Sequence, residues 1–144
     1  MATLDQLVRE HGTSVLDHLD TEVSVPVITG LQHQGDVSVV PVSMTPQPGR
    51  TAAAPLAGGG HVVVDGRATG GHDHVLHAGF GSAGVLFDPA VATPQSLALG
   101  LLTVPEGEIA YLAHPEHGYS GIGGGTFELR RTREQAEVQR LVAD

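Results

Sequence analysis

The sequence predicts a small all-β fold, a barrel or a sandwich, for most of its 144 residues. The chain contains 20 Gly and 9 Pro, which supply many turns and favour strands and loops over long helices. Aromatic residues make up only 3% of the chain, so the core must consist mainly of Val, Leu, Ile and Ala. We therefore expect one domain, with a helical segment at 1–22, a β domain at 23–131 and a tail at 132–144.

A helix, broken or kinked once, is predicted over residues 3–20. Thr3 and Gln6 form a capping-box pattern, and apolar residues follow at helical spacing. Gly12 interrupts the pattern, and Ser14 is placed to cap a second short helical piece.

Eight short segments of the β domain show the alternation or the β-branched composition of strands. They are separated by Gly or Pro turns and span 23–27, 36–42, 61–65, 72–78, 84–87, 97–104, 108–113 and 126–131. Such a series is typical of a jelly-roll or cupin-like barrel or sandwich. The longest loop, 44–60, is rich in Pro and Gly. Residues 121–125 are predicted to form a flexible turn between strands, because no phosphate-loop context surrounds their glycines.

The last part of the chain differs in charge from the rest. Residues 130–144 carry four of the seven Arg and sum to +1, whereas residues 1–129 sum to −10. The tail is predicted to be a helix or an extended arm. Its candidate partner-binding residues, for an anion or an acidic neighbour, are Arg130, Arg131, Arg133 and Arg140. Ion pairs with nearby Glu residues are the alternative for these side chains.

Charge and composition exclude several classes of function. The net charge is −9 and the chain has no Lys, so we expect neither nucleic acid nor an anionic membrane as a partner. No apolar run approaches the roughly 20 residues of a membrane span, and no signal-peptide pattern begins the chain. We expect a soluble protein in the cytoplasm or in a virion. The absence of Cys excludes disulfides and thiolate metal sites.

Two histidine clusters carry the chemistry. The first contains His72 and His74, and the second contains His114, Glu116 and His117. On a strand, residues two apart face the same side, so His72 and His74 would present both rings together. With His114 or His117 as a later ligand and a Glu116 oxygen, the set suits Zn, Fe, Mn, Ni or Co. The alternatives are surface histidines, buried hydrogen-bonded histidines and contacts to a partner chain.

A shared metal site makes a geometric demand on the fold. Segments 72–77 and 111–117 must be adjacent strands or strand ends, with these rings on one face.

The histidine pattern resembles cupins in part. In cupins a His-x-His pair and a histidine on a later strand converge on one metal, which here implies His72, His74 and His114 or His117 as ligands. The chain has Val75–Ala78 where the cupin motif has a Glu, and residues 105–107 match the second motif only loosely. These departures favour a binding or structural metal over a catalytic one.

A second resemblance covers residues 34–144. The matching segments are Gln34–Val42, Gly66–His74, His114–Gly118, Gly125–Glu134 and Val142–Asp144. They resemble the pattern QGDV-x-x-x-PV, TGH-x-H, H-x-EHG, G-x-Y-E-x-RRQRE and RVAD, which occurs in small uncharacterised bacterial and phage-encoded proteins. The chain departs from it by an extra Gly at 70–71, by Phe127 for Tyr and by Leu141. This resemblance implies a shared fold.

Two functions follow as expectations. The first is a non-enzymatic assembly protein, such as a capsid decoration or accessory virion protein. It would bind shell subunits or further copies of itself through the 44–60 loop and its terminal arms. The alternative is a cupin-like metal-binding protein or a metal-dependent enzyme that uses the histidine clusters. No acid, base or nucleophile is otherwise placed, so an enzymatic activity is not assigned.

Overall fold

The all-β class predicted from the sequence is confirmed in the computed structural model, whose strands form two sheets. The structure describes residues 2–15, 22–44, 53–56, 60–66, 71–89 and 97–131. Its elements are α1 (Leu4–His11), β1 (Val27–Ile28), β2 (Gln32–Gln34), β3 (Val37–Pro41), a 3-10 turn (Val42–Met44), β4 (Ala54–Pro55), β5 (His61–Val64), β6 (His74–Ala78), β7 (Leu86–Asp88), β8 (Ala98–Val104), β9 (Ala110–His114), β10 (Gly118–Ile122) and β11 (Gly125–Arg131).

The strands form two sheets that enclose the core. The first sheet has the order β1-β10-β9-β6-β5, and the second has the order β2-β3-β11-β8-β7-β4. Alternate side chains from both sheets meet between them, as Leu76 and Leu112 of the first sheet and Leu102 and Phe127 of the second show. Burial of this apolar layer is the main source of stability.

The outer face of the first sheet is covered by α1. All five residues of β9 are buried, because one face packs against the second sheet and the other lies under the helix. Leu4 and Leu7 of α1 pack with Tyr111 and Ala113 of β9. Among the described residues, no helix has the length and hydrophobicity needed to cross a membrane.

The predicted capping box begins α1. The Gln6 backbone N–H donates to Thr3 Oγ1 at 3.2 Å, and the Thr3 N–H donates to Gln6 Oε1 at 2.9 Å. The helix ends at His11 and Gly12 follows it. The second helical piece was predicted to begin at Ser14, but residues 12–15 are not helical, and 16–21 lie outside the described residues.

Replacing Thr3 by alanine is expected to lower the free energy of unfolding by about 1 kcal/mol, because the first helical turn loses its cap. Denaturant titration of wild type and Thr3→Ala measures the change. Thr126→Ala is the control, because it makes the same substitution on β11, where the residue caps no helix. Equal losses in the two variants would contradict the capping role.

Several predicted strand bounds were wrong. The strand expected at 23–27 is only Val27–Ile28, and β10 was missed altogether. The glycines of β10 hide its strand pattern, and the strand forms by pairing with β9 and β1. The 44–60 loop contains the short strand β4, and the 132–144 tail lies outside the described residues.

Candidate functional site

Four histidines surround one pocket between the start of β6 and the end of β9. We define the histidine cluster as His72, His74, His114 and His117. The pocket has a volume of about 140 Å³, and its lining also includes Asp36, Val64, Gly66, Gly71 and Glu116. Ring centroids are 4.4 Å apart for His74 and His114, and 4.6 Å apart for His114 and His117.

Pairing of β6 with β9 brings the two predicted segments together. Val75 lies opposite Ala113 in this antiparallel pair, and continuing the register places His74 opposite His114. Segments 72–77 and 111–117 are therefore adjacent, as a shared metal site requires.

The β9–β10 hairpin places His117 beside His114. Its three-residue loop, 115–117, is followed by Gly118 with φ +79°. Glycine adopts this left-handed conformation without steric cost, so Gly118 allows the chain to turn from the loop into β10. The Pro-Glu-His-Gly part of the motif is thus the turn that folds one histidine back onto the other.

A buried glutamine connects the cluster to the second sheet. Gln34 of β2 is 4% exposed, and its Nε2 donates to the Leu112 carbonyl at 2.8 Å and to Ser120 Oγ at 2.9 Å. Nε2 also lies 3.3 Å from the Gly118 carbonyl. Its Oε1 lies 3.1 Å from His74 Nδ1. The Gln34 amide thus contacts β9, β10 and the cluster at once.

His114 makes a hydrogen bond through its Nδ1 atom. Nδ1 accepts a hydrogen bond from the Glu116 backbone N–H at 3.1 Å. The ring also makes a hydrogen bond with the backbone of His72. Because Nδ1 is an acceptor, the neutral ring carries its proton on Nε2. His114 therefore braces the hairpin loop against the segment before β6.

Burial keeps the inner rings of the cluster neutral. Desolvation, with His114 and His117 nearby, lowers the pKa of His74 to about 3. Desolvation and His117 also lower the pKa of His114, against the opposing effect of Glu116. Metal ions bind neutral imidazole, so these rings need not lose a proton at neutral pH.

The rim of the pocket is acidic. Glu116 Oε1 lies 3.7 Å from His72 Nε2, and both side chains are about half exposed, at 51% and 47%. Asp36 adds a second carboxylate to the lining. The two carboxylates in the lining favour a cation over an anion at the pocket.

The predicted His-x-His pair does not lie on one strand, and that expectation was wrong. His72 is exposed and precedes β6, which begins at His74. The His74 and His117 rings are nearly parallel, at 13° and 6.3 Å, and do not converge. Within the described ranges, no three His, Asp or Glu side chains are already arranged to hold a metal ion.

Two of the four predicted partner-binding arginines, Arg130 and Arg131, lie within the described residues. Arg130 pairs with Glu128 on β11, which is the local ion pairing that the sequence offered as the alternative. Arg131 is buried, at 8% exposed, and makes contacts of its own. Arg133 and Arg140 lie outside the described residues.

Sequence reasoning missed Gln34, Gly35 and Asp36 as site residues. Their Gln-Gly-Asp-Val motif was visible, but none of these side chains signals a metal on its own. Gly35 has φ +56°, and a Cβ added there would lie 2.7 Å from His117 Nε2. In this motif Gln34 supplies an amide that anchors the cluster, and Gly35 lets the backbone lie close to the His117 ring. Asp36 supplies a carboxylate to the pocket lining.

Replacing Gly35 by alanine is expected to displace the His117 ring and to lower the free energy of unfolding by more than the roughly 1–2 kcal/mol cost of a left-handed alanine. Gly107→Ala is the matched control, because Gly107 has φ +84° but open space around it. Denaturant titration and the imidazole NMR signals of His117 measure both effects. Equal losses and unmoved His117 signals in Gly35→Ala would contradict the contact.

Residues 33–132 match the model of a family described as "Domain of unknown function (DUF8820)". The chain belongs to the DUF8820 family. The DUF8820 region contains Gln34 and the whole histidine cluster, and it leaves α1 outside. This agrees with the resemblance to uncharacterised proteins noted from the sequence. Neither the search of curated proteins nor the search of solved structures found a match.

Proposed function

We propose that this DUF8820 protein binds a divalent transition-metal ion at the histidine cluster. The observation that carries the proposal is the meeting of four imidazoles and two carboxylates, from separate chain segments, around one pocket of about 140 Å³. Neutral imidazole and carboxylate together suit Zn, Fe, Mn, Ni or Co.

The residues of the cluster differ in burial and in the hydrogen bonds that their ring nitrogens already make. His74 is the buried ligand, and the exposed residues His117, His72 and Glu116 complete the set at the rim. His114 is a support, because its Nδ1 already accepts a hydrogen bond from the hairpin loop. The rings must turn to converge on an ion, since His74 and His117 stack in the structure described. The partial cupin resemblance agrees with a bound metal, and the missing cupin Glu favours a binding or structural role.

Zinc titration of metal-free protein by calorimetry, and cobalt titration followed by visible spectroscopy, test this function. We expect one ion per chain, and we expect His74→Ala and His117→Ala each to weaken zinc binding by more than about 10-fold. His33→Ala is the control, because His33 is exposed and its ring contacts Ser38. Absence of binding by the wild type, or an equal loss in His33→Ala, would rule out the site.

Assembly into a larger structure is the second candidate, as a capsid decoration or accessory virion protein in the cytoplasm or in a virion. Exposed apolar residues on the outermost described strands of the first sheet favour it: Ile28 on β1 is 39% exposed and Val62 on β5 is 47% exposed. Outer strands can pair with another chain, either a shell subunit or a second copy. The excess of negative charge before residue 130 would complement an Arg-bearing tail.

Light scattering after size-exclusion chromatography tests assembly. We expect a homo-oligomer that Val62→Lys weakens, because a charge on an outer strand opposes pairing. Glu106→Lys is the control, because it places a lysine at an exposed turn away from that strand and should leave the oligomer intact. A wild-type protein that remains monomeric and captures no shell subunit would exclude this candidate.

A further inference from the structure

We propose that Gln34 is a positioning residue that holds His74 with its proton on Nδ1 and its Nε2 free to act as the ligand atom. This proposal rests on the proposed metal site and adds a residue that does not itself touch the ion. It assigns the first residue of the Gln-Gly-Asp-Val motif to the chemistry of the cluster.

The orientation of the Gln34 amide follows from its acceptors. A backbone carbonyl only accepts hydrogen bonds, so the group that faces the Leu112 carbonyl at 2.8 Å must be the NH₂ group. The contact with Ser120 Oγ lies on the same side of the amide. The other side, which faces His74, is therefore the Oε1 oxygen.

The protonation of His74 follows from that orientation. An amide oxygen only accepts, so the 3.1 Å contact requires His74 Nδ1 to donate its hydrogen. In the neutral ring Nε2 then has a free lone pair, and no hydrogen bond to it occurs among the described residues. His114 has the opposite arrangement, with Nδ1 as the acceptor.

The hydrogen bond from His74 Nδ1 to the Gln34 oxygen is of the kind that orients metal-binding histidines. Such rings usually donate their second N–H to a carboxylate, a carbonyl or water, which sets both the protonated nitrogen and the ring orientation. Gln34 is buried and bonded to two strands, so its oxygen has little freedom to move. The second sheet thereby positions a ligand that the first sheet carries.

Gln34→Met and Gln32→Met form a matched pair for the test. Both glutamines lie on β2, and Gln32 Nε2 also donates to a carbonyl of the first sheet, that of Gly121 at 3.0 Å. Among the described residues, Gln32 makes no hydrogen bond with the cluster and does not line its pocket. Imidazole ¹⁵N NMR of metal-free protein reports the protonated nitrogen of His74, and calorimetry reports zinc affinity. We expect Nδ1–H in the wild type, a mixture in Gln34→Met with 10- to 100-fold weaker zinc binding, and no change in Gln32→Met.

Gln34→Glu keeps an acceptor for His74 Nδ1, so we expect the Nδ1–H form to persist, but its second oxygen cannot donate to the Leu112 carbonyl unless the carboxyl is protonated. If neither variant folds, the protonated nitrogen of wild-type His74 still tests the proposal. A wild-type His74 protonated on Nε2, or a folded Gln34→Met that keeps wild-type zinc affinity, would overturn the proposal. A wild type that binds no zinc yet shows Nδ1–H, lost in Gln34→Met, would remove the metal function while supporting the role of Gln34 in setting the ring.

Discussion

Acidification from pH 7 to pH 4.5 is expected to lower the free energy of unfolding, with about 2 kcal/mol of the loss due to one buried histidine, His77, and a further loss of the same sign due to His74. His77 is 1% exposed on β6, and its ring stacks on His11 of α1 with centroids 4.6 Å apart. Burial, with His11 nearby, lowers the pKa of His77 from 6.5 to about 4. Burial also lowers the pKa of His11, while Glu10 opposes that shift.

The direction of the effect follows from proton binding. The unfolded state takes up a proton on His77 near pH 6.5, whereas the folded state resists protonation until about pH 4. Stability is therefore fully present above pH 6.5 and is lost as the pH falls toward 4. Tyr111 and Tyr119 also face this pair, and both have raised pKa values, so they stay neutral throughout.

Denaturant titrations between pH 7.5 and 4.5 measure the loss. His77→Leu removes the titrating group, so its stability should depend less on pH, although it also loses the 2.9 Å hydrogen bond to Thr13. His33→Ala should keep the wild-type pH dependence, because His33 is exposed. An unchanged pH dependence in His77→Leu would show that His77 is not the group responsible.

Replacing Phe127 by alanine is expected to lower the free energy of unfolding by about 3–5 kcal/mol, the usual cost of removing a buried aromatic ring. Phe127 is 1% exposed in β11, at the centre of the second sheet, with β3 on one side and β8 on the other. Its ring belongs to the core cluster that joins the two sheets.

Equilibrium unfolding of Phe127→Ala measures this loss, and Phe80→Ala is the control. Phe80 is 52% exposed, so its truncation should change stability by less than about 0.5 kcal/mol. Similar losses in the two variants would mean that the sheets do not share the core described. A Phe127→Leu variant should recover part of the loss, because it refills much of the cavity.

Features that depend on near neighbours in the chain could be predicted. The Thr3 and Gln6 capping box needs residues only three apart, and the structure forms both of its hydrogen bonds. Strands with clear alternation, such as β3 and β11, were found near their predicted positions. The His-rich segments were recognisable because imidazole has few common roles in proteins.

Features that depend on distant pairing could not be predicted in the same way. β10 is hidden by its glycines, and it exists because β9 and β1 pair with it. His72 was expected on a strand, but the strand begins only at His74, where pairing with β5 starts. The stacked rings of His11 and His77 meet only because α1 covers the outer face of the first sheet.

By itself, then, the sequence determined the all-β class, the capped helix and the residues of the histidine cluster, because each has a local pattern. Only the tertiary structure decided which nitrogen of His74 contacts Gln34. Gln34 makes this contact while bonded to Leu112, 78 residues away. A contact of that kind depends on how two sheets pack, and no spacing within either segment encodes it.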